Sequence, residues 1–159
     1  MKTIEEVLKT VPSTKAEDWH QHSNGKGWVY SSASVADSAY VGPNAVVFNN
    51  ARVYDDAQVS GNALVFGNAQ VFNNAQVFNN ARVSGKAVVS GNAKMYGDAK
   101  VFGDAQVYGK AWVSGNARVY GDALVFDNAR VSGNARVYGD AVVYGDARVS
   151  GNAWVDGDA

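Results

Sequence analysis

Ala63-Leu64-Val65-Phe66-Gly67-Asn68 runs into Ala69-Gln70-Val71-Phe72-Asn73-Asn74, and then into Ala75-Gln76-Val77-Phe78-Asn79-Asn80. The unit is six residues long and repeats without insertion or slip. Every sixth residue from Ala33 to Ala159 is Ala, 22 in all. Two residues after each, from Val35 to Val155, stands Val in 20 of 21 repeats, Met95 being the exception. On an extended strand, residues two apart share a face. Each Ala-x-Val is therefore a short strand with Ala and Val inward and the second residue outward. The fourth residue also points outward, and the fifth and sixth turn a corner. Position five is Gly in 14 repeats, Asn in three, Asp in three and Pro once, at Pro43. Pro43-Asn44 predicts a type II turn. Pro holds φ at about −65° at the second turn position, and Asn tolerates the positive φ of the third. On that geometry Lys86 and Lys110, both at position six, are strained.

A strand this short cannot bury its Ala and Val alone. Stacking successive coils buries them, which is the logic of solenoids. The unit resembles the hexapeptide repeat of left-handed parallel β-helices, the fold of the hexapeptide-repeat acyltransferase superfamily. That resemblance implies triangular coils of three hexads, left-handed winding and, in the enzymes, a His general base in a cleft between subunits. The repeat covers about four fifths of the chain. Counted from Gly27, it makes about seven coils, roughly 34 Å of stack at ~4.8 Å per coil. The fold class expected is all-β, a parallel β-helix with a short N-terminal helical cap.

At 159 residues the chain is one domain's worth, with residues 1–24 as a helix and capping segment and 25–159 as the solenoid. The net charge of −1 gives no bulk field for nucleic acid or membrane. There is no Cys, hence no disulfide or thiolate chemistry. No apolar run approaches the ~20 residues of a membrane span. Glu5 and Glu6 interrupt the apolar core that a secretory leader needs, so the expected location is cytoplasmic.

Thr3-Ile4-Glu5-Glu6 reads as a capping box, and Ile4, Val7, Leu8 and Val11 have helical spacing. Pro12 stops that helix, which is expected at about 4–11 as a lid over the open first coil, or else as a docking element for a partner. Residues 13–24 are polar and irregular and hold both histidines, His20 and His22. Gly25-Lys26 has the corner pattern of Gly85-Lys86, and Gly27-Trp28-Val29-Tyr30-Ser31-Ser32 is a hexad with Gly in the Ala slot. At the other end the chain stays in phase to Ala159, which predicts stacking on another copy or continuation of the pattern.

Residues 18 apart stack on one of three faces. The first carries outward Val46, Leu64, Arg82, Lys100, Arg118, Arg136 and Trp154, beside Phe48, Phe66, Ser84, Phe102, Tyr120, Tyr138 and Asp156. The second carries Arg52, Gln70, Val88, Gln106, Leu124 and Val142, beside Tyr54, Phe72, Ser90, Tyr108, Phe126 and Tyr144. The third carries Gln58, Gln76, Lys94, Trp112, Arg130 and Arg148. The corner after it is an Asn column, Asn62, Asn80, Asn116, Asn134 and Asn152, with Asp98 among them.

Three chemistries follow. Arg82, Lys100, Arg118 and Arg136 beside Phe102, Tyr120 and Tyr138 suit a small phosphate-bearing ligand. Against that stands charge compensation by the corner column of Asp104, Asp122, Asp140 and Asp158. Tyr54, Phe72, Val88, Tyr108, Leu124, Phe126, Val142 and Tyr144 form a largely apolar face suited to a symmetric contact between copies, as well as to simple ring stacking. His20 and His22 would be the catalytic candidates only in an acyltransferase, and no family catalytic motif falls on a matched position. The three zinc histidines of the superfamily's carbonic-anhydrase branch are lacking. The Gly-Asp corners lack the acidic density of calcium-binding nonapeptide rolls. With three Thr, all before residue 15, ice binding is set aside. The sequence therefore predicts a non-catalytic scaffold that homo-oligomerises and binds a protein or a small anionic ligand, with no metal, cofactor, membrane or nucleic acid. The alternatives are an acyltransferase using an N-terminal His and an end-to-end polymer.

Overall fold

The computed structural model describes residues 1–157. Among them, three sheets of nine, seven and seven strands form the walls of a β-solenoid of about seven coils. Each Ala-x-Val contributes a two-residue strand, and strands pair in parallel with their counterparts 18 residues away. Arg82 lies opposite Leu64 on one side and Lys100 on the other, and Val83 opposite Val65 and Val101.

The period explains the ladder. The N–H of position two donates to the Ala carbonyl of the next coil, as from Arg82 to Ala99 at 2.9 Å. Position four donates to the Val carbonyl, Ser84 to Val101 at 3.0 Å, and position six to the corner carbonyl, Lys86 to Gly103 at 2.8 Å. Strand and corner are thus both tied to the neighbouring coil, satisfying backbone groups that a two-residue strand could not pair alone. Inside, Ala39 to Ala141 and Val41 to Val137 have no solvent-exposed surface, and Met95 fills its Val slot equally buried. Each buried Val contributes roughly 1.5–3 kcal/mol. At the two ends the seal opens: Ala33 and Val35 are half-buried, Ala147 and Ala153 exposed.

The corner differs from the expected type II turn. The Ala N–H bonds back to the position-four carbonyl (Ala87 to Ser84, 3.3 Å), and the positive φ falls on position five, not six. Gly85 has φ 69°, and Asn49, Asp55, Asn73, Asn79 and Asp127 have φ of 56–60°. Asn and Asp are the non-glycine residues that enter this region most readily, which accounts for the composition of position five. Pro43 cannot enter it, and Asp37 does not, so the corner used to infer the turn is one of the exceptions. Lys86 and Lys110 carry no positive φ and are unstrained; Lys26, at φ 63°, is the lysine that does.

The N-terminal helix spans Ile4–Thr10. Its capping box is present, with the Thr3 N–H donating to Glu6 Oε2 at 2.7 Å and the Glu6 N–H to Thr3 Oγ1 at 3.4 Å. It does not cover the coil end. It lies along the outside of the first face, where Val7 and Val11 pack with Trp19, Val46 and Leu64. Val46 is fully buried and Leu64 nearly so, although both are outward positions. The Lys2 N–H donates to the Pro43 carbonyl (3.0 Å) and the Trp28 indole to the Lys2 carbonyl (2.8 Å). The segment expected to be irregular contains a strand, Trp19–Gln21, running antiparallel to Trp28–Tyr30. It extends the first sheet and carries the chain back across the first coil. Gly27 occupies an Ala slot there because a Cβ would strike the Val41 side chain and carbonyl. Among the described residues no helix is long and apolar enough to cross a membrane.

Candidate functional site

The first face divides at Arg82. Below it, Val46, Leu64, Phe48 and Phe66 lie against the helix. Above it, Arg82, Lys100, Arg118 and Arg136 stand in register on successive coils. Beside them Phe102 and Tyr120 stack at 4.8 Å with planes 2° apart, and Tyr120 and Tyr138 at 5.3 Å and 9°. Arg136 caps the column by lying over the Trp154 ring, 4.7 Å from its centroid. Desolvation, and then the Asp156 carboxylate, raise the Tyr138 phenol above its ordinary value, so it remains a neutral donor at physiological pH.

The expected compensation by the corner aspartates does not form. Among the described residues, no carboxylate lies within 4.0 Å of Arg82, Lys100, Arg118 or Arg136. Position-six side chains interact along their own column instead. Lys86 Nζ meets Asp104 Oδ1 at 3.8 Å, with both side chains largely exposed. Asn128 donates to Asp146 at 3.1 Å, and the Asn column bonds from Asn62 to Asn80 to Asp98 and from Asn116 to Asn134 to Asn152. Asp98 accepts from Asn80 but has no amide N–H to pass on to Asn116, and there the chain of amides breaks. Asp158 lies outside the described residues. Four like-charged side chains thus rise from successive coils whose strands are about 4.8 Å apart, which is destabilising by itself.

The second face is a ring ladder. Tyr54 and Phe72 stack at 4.7 Å, Tyr108 and Phe126 at 4.9 Å, Phe126 and Tyr144 at 5.6 Å. Tyr54 Oη donates to Gln70 at 3.2 Å, and desolvation followed by Asp55 raises its phenol. Val88 and Leu124 are half-buried, whereas Val142 and Tyr144, at 41% and 61%, are exposed.

The histidines are not brought together in a cleft. His20 is exposed on the added strand. His22 is buried, with Nε2 at 2.9 Å from the Ala39 carbonyl, so that nitrogen carries the proton and anchors the N-terminal segment to the first coil. Among the described residues no three His, Asp or Glu side chains could hold a metal ion.

One cluster escaped the sequence. A groove of about 570 Å³ at the corner between the second and third faces is lined by Asn74, Gln76, Asn92, Lys94, Lys110 and Trp112. Lys94 Nζ stands 5.6 Å and the Arg130 guanidinium 4.7 Å from the Trp112 ring centroid, a cation on each side of one indole. The signal was available: Lys94, Trp112 and Arg130 are consecutive members of one column, and Lys110 stands on the adjoining corner just before Trp112.

Residues 57–73, 75–91, 111–127, 117–133, 129–145 and 143–157 match the model of the YdcK beta solenoid repeat. These spans cover just over half of the chain. The chain belongs to the YdcK beta solenoid repeat family. The matched spans include Leu64 under the helix and Arg82, Arg118 and Arg136 of the cation column, and leave out Val46 and Lys100. Comparison with curated proteins and with solved structures finds no match. The family therefore establishes the repeat and the solenoid and names no reaction.

Proposed function

We propose that this YdcK-type solenoid is a non-catalytic, cytoplasmic scaffold whose bare upper first face binds a small anionic, phosphate-bearing ligand or an acidic segment of a partner protein. One observation carries this reading. Arg82, Lys100, Arg118 and Arg136 repeat at coil spacing with no carboxylate in reach among the described residues, beside a stack of rings. A column of like charges costs folding stability, and an anion lying along it offsets that cost through charge-assisted hydrogen bonds. The test is calorimetric titration with inorganic pyrophosphate at low salt. The wild type binds, and Arg118→Ala with Arg136→Ala weakens binding by at least about tenfold, ~1.4 kcal/mol. Arg130→Ala with Arg148→Ala, on the third face, leaves it intact. Equal losses in both pairs overturn the reading.

Self-association through the second face belongs to the same proposal. It is supported by the exposed Val142 and Tyr144 at the end of a ring ladder that has no outward charge above Arg52. Sedimentation velocity should show a wild-type oligomer that Leu124→Lys with Val142→Lys converts to monomer. A wild-type monomer at every concentration removes this part.

A further inference from the structure

The ring column of the first face lacks one rung. Phe48 and Phe66 stack at 4.8 Å and 5°, and Phe102, Tyr120 and Tyr138 continue the stack above. Between Phe66 and Phe102 the same position is Ser84. Because the coils are in register, those two rings stand two coil spacings apart, about 9.6 Å. A planar ring inserted over Ser84 would lie from each neighbour at the stack's own interval. The position is only half-buried.

Its surroundings are cationic. Arg82 lies two residues before Ser84 on the same coil, Lys100 is the in-register neighbour of Arg82, and Lys86 follows on the corner with Asp104. The same coil carries a second missing rung on the second face, at Ser90 between Phe72 and Tyr108. The contrast separates the two. Ser90 is buried at 9% exposure, and the outward residues beside it are Gln70, Val88 and Gln106, none of them charged. The open gap is thus the one with cations around it.

We propose that the gap over Ser84 is the seat of a planar aromatic group whose attached phosphate lies on Arg82 and Lys100. The inference rests on the anion-binding reading above and adds a ligand class to it: a phosphate carried by a flat ring, as in a nucleotide. Stacking on both sides selects the ring, and the column selects the charge.

Adenosine 5′-monophosphate and ribose 5-phosphate differ by the base and test this directly. The wild type should bind the nucleotide at least about tenfold more tightly. Ser84→Phe completes the ring column, so it should leave the melting temperature unchanged or raised while abolishing the difference between the two compounds. A readout on the wild type alone needs no variant: the base protons of the bound nucleotide, held between Phe66 and Phe102, should shift upfield in NMR spectra. Equal affinities for both compounds, or base protons that do not shift, overturn the slot while leaving the anion-binding face standing. If pyrophosphate, ribose 5-phosphate and the nucleotide all fail to bind, the anion-binding reading falls and the slot with it.

Discussion

The lower and upper halves of one sheet are built on the same backbone and bear opposite surfaces. Val46 and Leu64 occupy the column that Arg82, Lys100, Arg118 and Arg136 continue, and the strands pair in register throughout. Below Arg82 the column is apolar and a helix covers it; from Arg82 to Arg136 it is cationic and, among the described residues, bare. The inward residues are Ala and Val in both halves, so the backbone and core do not distinguish them. In a solenoid with an invariant core, the identity of an outward residue reports what lies over it. The apolar outward pair marks the helix, and over the cation column no element lies among the described residues.

The largest effect should come from reversing that pattern. Val46→Asp puts an unpaired carboxylate under the helix and should cost about 3 kcal/mol or more. Arg118→Asp, four coils up in the same column, should change stability by no more than about 0.5 kcal/mol. Urea unfolding of the two variants compares them, and equal losses would break the distinction between the halves. A smaller change should come from the cap that holds the cover in place. Thr3→Ala removes one side of the capping box and should cost about 1 kcal/mol, read as a lower urea midpoint and as faster amide exchange along residues 4–10.

Smaller still, and of opposite sign, is the relief of like charges. Arg118→Gln should stabilise by a few tenths of a kcal/mol up to about 0.5, with the gain vanishing in high salt as screening weakens the repulsion. Destabilisation by this change would show that the column is compensated after all. The smallest effect belongs to Lys86 and Asp104, an exposed pair whose double-mutant coupling should lie below about 0.5 kcal/mol.

Much of this was written in the period. Six residues with Ala and Val two apart dictate the strand, the inward face and the 18-residue register, because side-chain alternation leaves no other way to bury both. The corner was misread for a particular reason. Pro43 cannot adopt the positive φ that most position-five residues take, so the turn inferred from it placed the positive φ one residue late. Asn49, Asn73 and Asn79 at position five held the better clue. The helix was legible as an amphipathic segment, but its stripe of Ile4, Val7, Leu8 and Val11 says only that something apolar is near. Its target was legible in Val46 and Leu64, two outward residues too apolar to face water. The pairing of the corner aspartates with the cations failed on distance: a corner side chain finds its counterpart one coil along the same column before it reaches across to the strand, as Lys86 does with Asp104. The groove beside Trp112 lay across two columns, a corner and a face, that a column-by-column reading keeps apart.

The most direct test of the bare half is to watch the arginine side chains themselves. Nε–Hε NMR signals of Arg82, Arg118 and Arg136 can be followed against those of Arg52, Arg130 and Arg148 as pyrophosphate is added at low salt. Saturable shifts confined to the first three are the predicted result. Shifts spread evenly over all six, or absent from the column, would contradict it.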